Sequence, residues 1–383
     1  MVVSNTSVTP HSKLGQITGM RLFFVRESSH PLSHIYQAIY WHYREDNVTS
    51  VQCFQFKECP MPTIEDGQIL VKTLCLSVDP YMRNRLNQQT GTDYMSPLKL
   101  DSPIDGGGVG VIVESKSRHF CKGEILESFH WPWQEYAKYA VEGFNSLIVN
   151  KVESELVKNH VSLILGVLGI PGLTALLGIS EMGHVVEGAN QTIVVSGAAG
   201  ACGSLAGQIA RLKGCTNVVG ICGTADKCNF LKEELNFDNA INYKEDDVDA
   251  KLEEFCPNGI DVYFDNVGGN ISNSVIRKMN KDSHIILCGQ ISMYNTSQPY
   301  PPPLDEETEQ IREAQNITRE RFLVLNYYDL FPKTLAELKE LYQEGKLKYQ
   351  ETVSEGLESA PEAFVSMMAG GNIGKQIVHV ADP

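Results

Sequence analysis

A series of glycines directly follows an apolar, strand-like segment near the middle of the chain. The segment Thr192–Ser196 is rich in β-branched residues and leads into Gly197, Gly200 and Gly203, spaced as G-x-x-G-x-x-G. Glycines at such spacing permit a tight turn and let a pyrophosphate approach the backbone at the start of the next helix. In this strand–turn–helix setting the motif predicts a dinucleotide-binding turn. The contact residues expected from it are Gly200, Ala201, Cys202 and Gly203.

The end of the next strand-like run indicates which nucleotide binds. NAD sites usually carry Asp or Glu about 20 residues after the glycine turn, on the ribose hydroxyl. Here the run 218–222 ends in Gly223 and Thr224, and the first carboxylate, Asp226, comes only in the following turn. Lys227 follows at once and can reach a phosphate on the ribose, a contact worth roughly 1.5–3 kcal/mol. The sequence therefore predicts NADPH, the alternative for Lys227 being a solvated surface lysine.

Two further loops follow strand-like runs in the same half of the chain. In a doubly wound sheet the ligand lies over the carboxyl ends of the strands, so these loops are expected at the nicotinamide half of the cofactor. Tyr243 is expected at the adenine end, with a plain core or rim tyrosine as the alternative. The residues expected in the two loops are Asn266, Cys288, Gly289, Gln290, Ile291 and Ser292.

The elements that must position these residues alternate regularly from about residue 190. Helical patterns separate five strand-like runs, and this alternation predicts a parallel, doubly wound α/β sheet. The runs are 192–196, 218–222, 261–265, 284–288 and 322–326. Short apolar runs between turns, from about 51 to 150, predict an antiparallel barrel-like or sandwich domain. A last run at 375–380 can rejoin that first domain.

The predicted fold is therefore α/β, with a Rossmann doubly wound parallel sheet domain and a GroES-like antiparallel β-barrel domain. Residues 48–160 with 340–383 are assigned to the barrel domain and residues 161–339 to the Rossmann domain. Residues 1–47 form an atypical N-terminal extension, rich in Ser, Thr and His. Within it, residues 35–41 are interpreted as a possible short helix.

Composition limits the partners and the compartment. The 383 residues carry a net charge of −15, which argues against nucleic acid or an anionic membrane surface as the main partner. None of the ten cysteines forms a C-x-x-C pair, so reduced thiols in a cytoplasmic protein are expected. The uncharged stretch 161–179 is interrupted by Pro171 and several glycines, which favours a buried helix pair over a membrane span.

The motifs together resemble those of medium-chain dehydrogenase/reductases and, within them, prostaglandin reductases. The resemblance covers roughly residues 48–383, and no opening strand of that family is visible in the first 47. The matching stretches are 76–83, 90–94, 105–108, 131–133, 196–203, 263–269, 290–294, 301–303 and 372–375. The resemblance implies an NADPH-dependent reductase that adds hydride to the β-carbon of an α,β-unsaturated ketone, namely a 15-oxo-prostaglandin. The expected partner is thus a small-molecule lipid enone.

The resemblance also implies that no metal takes part. Zinc-dependent members of the wider family use a Cys three residues before an Asp, then a Gly-His-Glu and a four-cysteine lobe. Here Leu76 stands three residues before Asp79, and Gly106-Gly107-Gly108 occupies the place of Gly-His-Glu. A group other than a Lewis acid must then handle the charge on the substrate oxygen.

By the same resemblance, Tyr294 is expected to donate a hydrogen bond to the enolate oxygen, and Tyr94 to position the substrate. Phe129 and His130, with Trp131, are expected to form an aromatic wall for a lipid chain. A packed aromatic with a hydrated hydroxyl is the alternative for each tyrosine. The remaining cofactor contacts expected are Met293, Tyr294, Phe322, Leu323, Val324 and Asn372.

Three alternatives stay open from the sequence. Arg83 and Arg85 supply local positive charge near the expected cleft, or they are surface ion-pair partners. A quinone reductase of the zeta-crystallin type shares the glycine turn and the lack of zinc. A non-catalytic NADPH-binding scaffold is the third alternative. The expected oligomeric state is a monomer or a homodimer.

Overall fold

The computed structural model describes residues 35–41, 50–87, 95–142, 149–153, 157, 160–296, 298 and 300–383. Its first strand corrects one interpretation, because residues 35–41 are not helical. They form β1 (Ile35–Trp41), which pairs antiparallel with β2 (Phe54–Pro60). Ala38 and Ile39 are both buried, so the strand lacks the strict alternation that identifies strands in a sequence. An opening strand is therefore present where the sequence showed none.

Five strands continue the N-terminal β domain, and every pairing among them is antiparallel. They are β3 (Gln68–Ser77), β4 (Asp105–Ser115), β5 (Ile125–Pro132), β6 (Tyr136–Ala140) and β7 (Asn150–Lys151), with the one-turn helix α1 (Met82–Arg85) after β3. Trp131 and Trp133 are fully buried in the core of this domain. The Trp131 indole N–H donates to Thr73 Oγ1 at 2.8 Å, which satisfies its polar edge inside the apolar core.

Six parallel strands form the second sheet, and this confirms the predicted Rossmann fold. They are β8 (Thr192–Ser196), β9 (Asn217–Cys222), β10 (Asn239–Asn242), β11 (Ile260–Asp265), β12 (Met279–Leu287) and β13 (Thr318–Arg321). Their order in the sheet is β10-β9-β8-β11-β12-β13, the 3-2-1-4-5-6 order of dinucleotide-binding folds. The switch point of this order lies between β8 and β11.

Helices cover both faces of the parallel sheet. They are α2 (Ile170–Leu177), α3 (Ala201–Lys213), α4 (Ala225–Asn229), α5 (Val248–Phe255), α6 (Gly269–Ile276), α7 (Glu306–Ala314) and α8 (Phe331–Gln343). Pro171 lies in the first turn of the buried helix α2, where its missing N–H costs no hydrogen bond. Within the described ranges, no helix is long and apolar enough to cross a membrane.

One strand was predicted at the wrong place. The strand of this region, β13, ends at Arg321, just before the apolar run 322–326. Most of the run lies instead in a 3-10 helix, Val324–Leu330. Phe322 and Val324 are buried, and this produced the apolar signal. The true strand is Thr-Arg-Glu-Arg at the edge of the sheet, and its polar composition hides it from a search for apolar runs.

The C-terminal segment returns to the first domain, as expected. It contains β14 (Glu351–Glu355), α9 (Ala360–Met368) and β15 (Lys375–His379). β15 pairs antiparallel with β3 and parallel with β14, so the barrel-domain sheet has the order β14-β15-β3-β4-β5-β7, with β6 also on β3. The residue limits of the two domains, 48–160 with 340–383 and 161–339, stay predictions.

Candidate functional site

The glycine turn between β8 and α3 forms a narrow cradle at the start of a helix. Gly197 has a φ of +58°, a conformation that favours glycine, and its carbonyl accepts the N–H of Gly200 at 3.0 Å. A Cβ at Gly203 would lie 2.5 Å from the Gly197 carbonyl oxygen, so no side chain fits there. Ala201 and Cys202 open the thirteen-residue helix α3 and are partly exposed. The N–H groups of this helix start suit a pyrophosphate.

The C-terminal segment closes against this turn. The Gly374 N–H donates to the Ala199 carbonyl oxygen at 2.7 Å, and Gly200 and Gly374 form a parallel bridge. Asn372 lies at the same place, because its Nδ2 donates to the Gly374 carbonyl oxygen at 2.7 Å. The structure therefore brings Asn372 to the glycine turn, although about 170 residues separate them in sequence.

Two lysines, Lys227 of α4 and Lys244 after β10, lie near the tip of β9. Thr224 caps α4 by accepting the Lys227 N–H, and Lys227 Nζ donates to the Gly370 carbonyl oxygen at 2.8 Å. Burial, together with the nearby charge of Lys244, holds the pKa of the Lys227 ammonium below its usual range. A bound phosphate would offset this cost, because it supplies the missing negative charge.

Tyr243 lies beside the same tip and is 44% exposed. A Cβ at Gly223 would come within 3.0 Å of the Tyr243 ring, so this ring occupies space that a side chain at position 223 would need. NAD sites place their acidic residue at such a strand tip. Both the glycine and the neighbouring lysines therefore fit a nucleotide that carries an additional phosphate.

The two loops expected near the nicotinamide meet at the carboxyl ends of β8, β11 and β12. Asn266 donates through its Nδ2 to the Ser196 carbonyl oxygen at 2.8 Å, directly before the glycine turn. The Ile291 N–H donates to the Asn266 carbonyl oxygen, and the Ser292 N–H and hydroxyl both donate to the carbonyl oxygen of Val267. The loop after β12 is thereby fixed to the loop after β11.

Cys288 and Gly289 begin the loop after β12, and their N–H groups both donate to the Asp265 carbonyl oxygen. The Cys202 thiol beside it, together with burial, raises the pKa of the Cys288 thiol well above its usual value. This contact places the start of α3 against the end of β12. Met293 ends the short 3-10 turn Ile291–Met293 and leads into Tyr294.

Tyr294 is 9% exposed, and its hydroxyl accepts the Gln290 N–H at 3.3 Å. A Cβ at Gly289 would lie 3.4 Å from the same hydroxyl, so the phenol group sits over the loop after β12. The Tyr300 ring lies 6.3 Å from the Tyr294 ring, centre to centre. The structure thus brings Tyr294 into the loop predicted to face the nicotinamide.

The aromatic wall is built on β5 and on Tyr81, the residue before α1, and the prediction that Trp131 belongs to it is wrong, because Trp131 is fully buried in the core of the β domain. The Phe129 ring stacks on Tyr81 with 5.2 Å between centroids, and the His130 ring meets Phe129 edge-on. His130 Nδ1 lies 3.0 Å from Asp105 Oδ2, and Arg85 Nη2 lies 2.7 Å from Asp105 Oδ1. Burial raises the pKa of Asp105, but the hydrogen bonds from His130 and Arg85 outweigh it and hold that pKa below its usual value.

The Tyr294 loop contacts the β domain near this wall. Ile291 and Tyr81 both pack against the same apolar cluster, and Arg83 Nε donates to Asn295 Oδ1 at 2.6 Å. Arg83 and Arg85 are both buried, so the alternative of surface ion-pair partners is wrong for both. Arg85 does form an ion pair, with Asp105, but inside the fold. A short polar helix gives no sequence signal of such burial.

Three further predicted contacts lie beside the parallel sheet. Phe322 and Val324 are buried in the apolar core, whereas Leu323 is partly exposed between them. The Phe322 N–H donates to the Leu287 carbonyl oxygen, which keeps the segment at the carboxyl end of β12. Tyr94 lies outside the described residues, and its role stays a prediction.

The donor set does not fit a zinc ion. Among the residues that the structure describes, no three His, Cys, Asp or Glu side chains could hold a metal. A Cβ at Gly107, which stands at the place of the His, would lie 2.9 Å from Ser77 Cβ, so a larger side chain has no room there. Asp79 accepts a hydrogen bond from Ser77 and lies 3.2 Å from the buried Lys375 ammonium.

A Rossmann sheet joined to a β domain, with a phosphate cradle at the switch point, defines a dinucleotide-dependent oxidoreductase. Residues 38–147 match a family described as the N-terminal domain of oxidoreductase, and residues 201–319 match one described as zinc-binding dehydrogenase. The chain belongs to the zinc-independent medium-chain dehydrogenase/reductase superfamily, among its NADP-dependent reductases.

Individual relatives support this assignment. The NADP⁺-dependent 2-alkenal reductase of Nicotiana tabacum is 39% identical over 326 residues, which cover 82% of this chain and 88% of the relative. Prostaglandin reductase 1 of Rattus norvegicus is 38% identical over 327 residues, covering 85% and 93%. NADPH is accordingly the cofactor, as predicted.

Solved structures agree. CurA from Vibrio vulnificus in complex with NADPH has a TM-score of 0.81 and 35% identity, covering 91% of this chain and all of CurA. Quinone oxidoreductase of Escherichia coli in complex with NADPH has a TM-score of 0.68 and covers 90% of this chain and 99% of its own. At 16% identity it shows the shared fold alone.

Proposed function

We propose that this protein reduces the conjugated carbon–carbon double bond of 15-oxo-prostaglandins with NADPH, the 15-oxoprostaglandin 13-reductase activity of prostaglandin reductase 2. The observation that carries the proposal is the Tyr294 hydroxyl, which lies over the loop after β12. The names of the tobacco and rat relatives, a 2-alkenal reductase and a prostaglandin reductase, support an unsaturated carbonyl substrate. We also propose a cytoplasmic protein, monomeric or homodimeric.

NADPH, when bound, supplies the hydride that is added to the β-carbon of the enone. The chain's part is to hold the nucleotide through the glycine turn and Lys227, and to stabilise the negative charge that develops on the carbonyl oxygen. Tyr294 suits this second role, because a phenol with a pKa near 10 is protonated at neutral pH and can donate. A donor placed at a developing oxyanion is typically worth about 2.7–4 kcal/mol.

The aromatic wall accounts for the choice of a lipid. Tyr81 and Phe129 offer stacked apolar faces to a hydrocarbon chain. His130, whose ring is exposed and held by Asp105, offers a polar group to an acidic lipid at the same wall. Tyr94 completes this proposal as a residue that positions the substrate.

The quinone reductase remains the second candidate, since its hydride donor and fold are the same. A cofactor-binding scaffold without turnover is the third. The three candidate functions differ in which acceptor, if any, causes NADPH to be oxidised. The test measures the loss of the reduced-nicotinamide absorbance with a 15-oxo-prostaglandin, with a simple quinone, and without an acceptor.

Rapid consumption with the prostaglandin, and little with the quinone, is the expected result. Consumption with the quinone alone would contradict the proposal and favour the second candidate. Tight NADPH binding without consumption in any of the three reactions would favour the scaffold.

A further inference from the structure

We infer that Asp265, a residue that touches neither nucleotide phosphate nor substrate in the proposed mechanism, is the positioning residue of the cofactor-binding edge. It ends β11, and its side chain is 1% exposed. Six hydrogen-bond donors from four separate parts of the Rossmann domain converge on its two oxygens. Asp265 takes no part in the argument from the glycine motif or in the argument for NADPH. The inference therefore assigns a role to a residue that the proposed function does not use.

Oδ1 of Asp265 accepts hydrogen bonds from both sides of the sheet's switch point. It accepts the Ser196 hydroxyl at 3.0 Å, from the last residue of β8 before the glycine turn. It also accepts the Tyr263 hydroxyl at 2.9 Å and the N–H groups of Val267 and Gly268, each at 3.0 Å. This one oxygen therefore sets the conformation of the loop after β11 relative to the end of β8.

Oδ2 connects the same carboxylate to α6 and to the loop after β12. It accepts the Ser272 hydroxyl at 2.6 Å and the Gln290 side-chain amide at 2.7 Å. Gln290 also donates its backbone N–H to the Tyr294 hydroxyl. A continuous path of two hydrogen bonds thus runs from the buried carboxylate to the phenol that is proposed to face the substrate.

The chemistry of the donors requires a carboxylate at this position. Backbone N–H groups and the Gln290 amide nitrogen can only donate, so both oxygens must accept. An Asn at position 265 would turn an NH₂ group toward donors, and at least one side of the network would lose its partner inside an apolar core. A carboxylate satisfies both sides at once, through charge-assisted bonds.

The same strand offers a matched control at its other end. Asp261, near the start of β11, accepts the Thr192 N–H at 2.8 Å from β8 and the Asn280 side-chain amide at 2.8 Å from β12. It therefore ties the same three strands together, but at their amino ends, away from the cofactor. A loss that is merely structural should follow from either aspartate, whereas a loss of positioning should follow from Asp265 alone.

The experiment compares Asp265→Asn with Asp261→Asn in the full chain. NADPH affinity is measured by titration without substrate, and the unfolding midpoint, kcat and KM are measured for a simple 2-alkenal. Both variants should lower the unfolding midpoint. Only Asp265→Asn should weaken NADPH binding at least tenfold and lower kcat, with Asp261→Asn within about twofold of the wild type. Equal NADPH affinity in the two variants would overturn the inference.

Gln290→Met keeps the test decisive if Asp265→Asn does not fold. It removes only the amide donor to Oδ2, so the fold should persist while kcat falls by a larger factor than NADPH affinity. A kcat equal to the wild type would overturn the path from Asp265 to Tyr294. Because the binding arm uses no substrate, a failure of the prostaglandin proposal leaves its result unchanged.

Discussion

The ammonium group of Lys227 donates a hydrogen bond to the carbonyl oxygen of Gly370, 2.8 Å away. Lys227 belongs to α4, after the second strand of the Rossmann sheet, whereas Gly370 precedes β15, which returns to the β domain. The residue proposed to bind the ribose phosphate is therefore held at the tip of β9 by the segment that joins the two domains. Its position does not depend on a surface ion pair, since within the described residues it forms none.

Replacing this lysine tests the preference for NADPH. Lys227→Ala should weaken NADPH binding about tenfold or more and leave NADH binding nearly unchanged, because only NADPH has the phosphate that the ammonium contacts. Titration of both nucleotides measures the effect. Lys232→Ala, at an exposed position of the following turn, serves as the control and should change neither affinity. An equal loss for NADPH and NADH would contradict the phosphate contact.

The proposed oxyanion donor is tested by removing one oxygen atom. Tyr294→Phe keeps the ring, so the loop after β12 should keep its packing and NADPH affinity should stay within about twofold. Turnover of the enone should fall about 100- to 1,000-fold, because an oxyanion donor is lost. The measurements are single-substrate kinetics and an NADPH titration on the same preparation.

A second tyrosine provides the control for that variant. Tyr328 is 64% exposed, so Tyr328→Phe removes a phenol oxygen without disturbing the site. It should turn over like the wild type. Unchanged turnover in Tyr294→Phe would remove Tyr294 from the mechanism, whatever the substrate proves to be.

The sequence was most informative at positions where the fold allows only one type of residue. The Gly203 position admits no side chain beside Gly197, and such a requirement is visible as a spaced glycine motif. The central parallel strands β8, β9 and β11 are buried on both faces, so their sequences are continuous apolar runs. For these reasons the Rossmann fold and the glycine turn could be predicted from the sequence.

The rest depends on partners that are distant in sequence. In the sequence, Asp265 and Asp105 are isolated acidic residues. The fold brings Gln290 to Asp265. It brings Arg85 and His130 to Asp105. β13 is polar because it lies at a sheet edge, and no apolar pattern marks it. Long-range pairing, rather than local propensity, decides such positions.

The stability contributed by Asp105 should depend on pH in a definite direction. Its folded-state pKa lies below the unfolded value, so its stabilising effect is present above about pH 3.9 and is lost as the pH falls through the folded pKa. At about pH 7, Asp105→Asn should lower the free energy of unfolding by about 2 kcal/mol, since charge-assisted bonds to Arg85 and His130 are lost.

Urea unfolding at several pH values measures this difference. The gap between wild type and Asp105→Asn should narrow as the pH falls below the folded pKa of Asp105. Asp66→Asn, at an exposed turn, should show no such pH-dependent gap. A gap that stays constant with pH would mean that packing, and not the charge of Asp105, holds the wall.

Two glycines of β4 test how closely this strand packs against Trp131. A Cβ at Gly108 would lie 2.3 Å from Trp131 Cγ and 2.4 Å from Trp131 Cβ, and a fully buried indole cannot move aside. A Cβ at Gly106 would instead meet the flexible end of Met82 at 3.2 Å. Gly108→Ala should therefore cost about 1–3 kcal/mol of unfolding free energy, and Gly106→Ala less than about 1 kcal/mol.

The comparison isolates packing from cofactor binding, because both glycines lie in the β domain and the phosphate cradle lies in the Rossmann domain. NADPH affinity should stay within about twofold in each variant while only Gly108→Ala unfolds at lower urea. If Gly108→Ala were as stable as Gly106→Ala, the indole would have room to shift, and the close packing of β4 against Trp131 would not be what excludes a side chain at position 108.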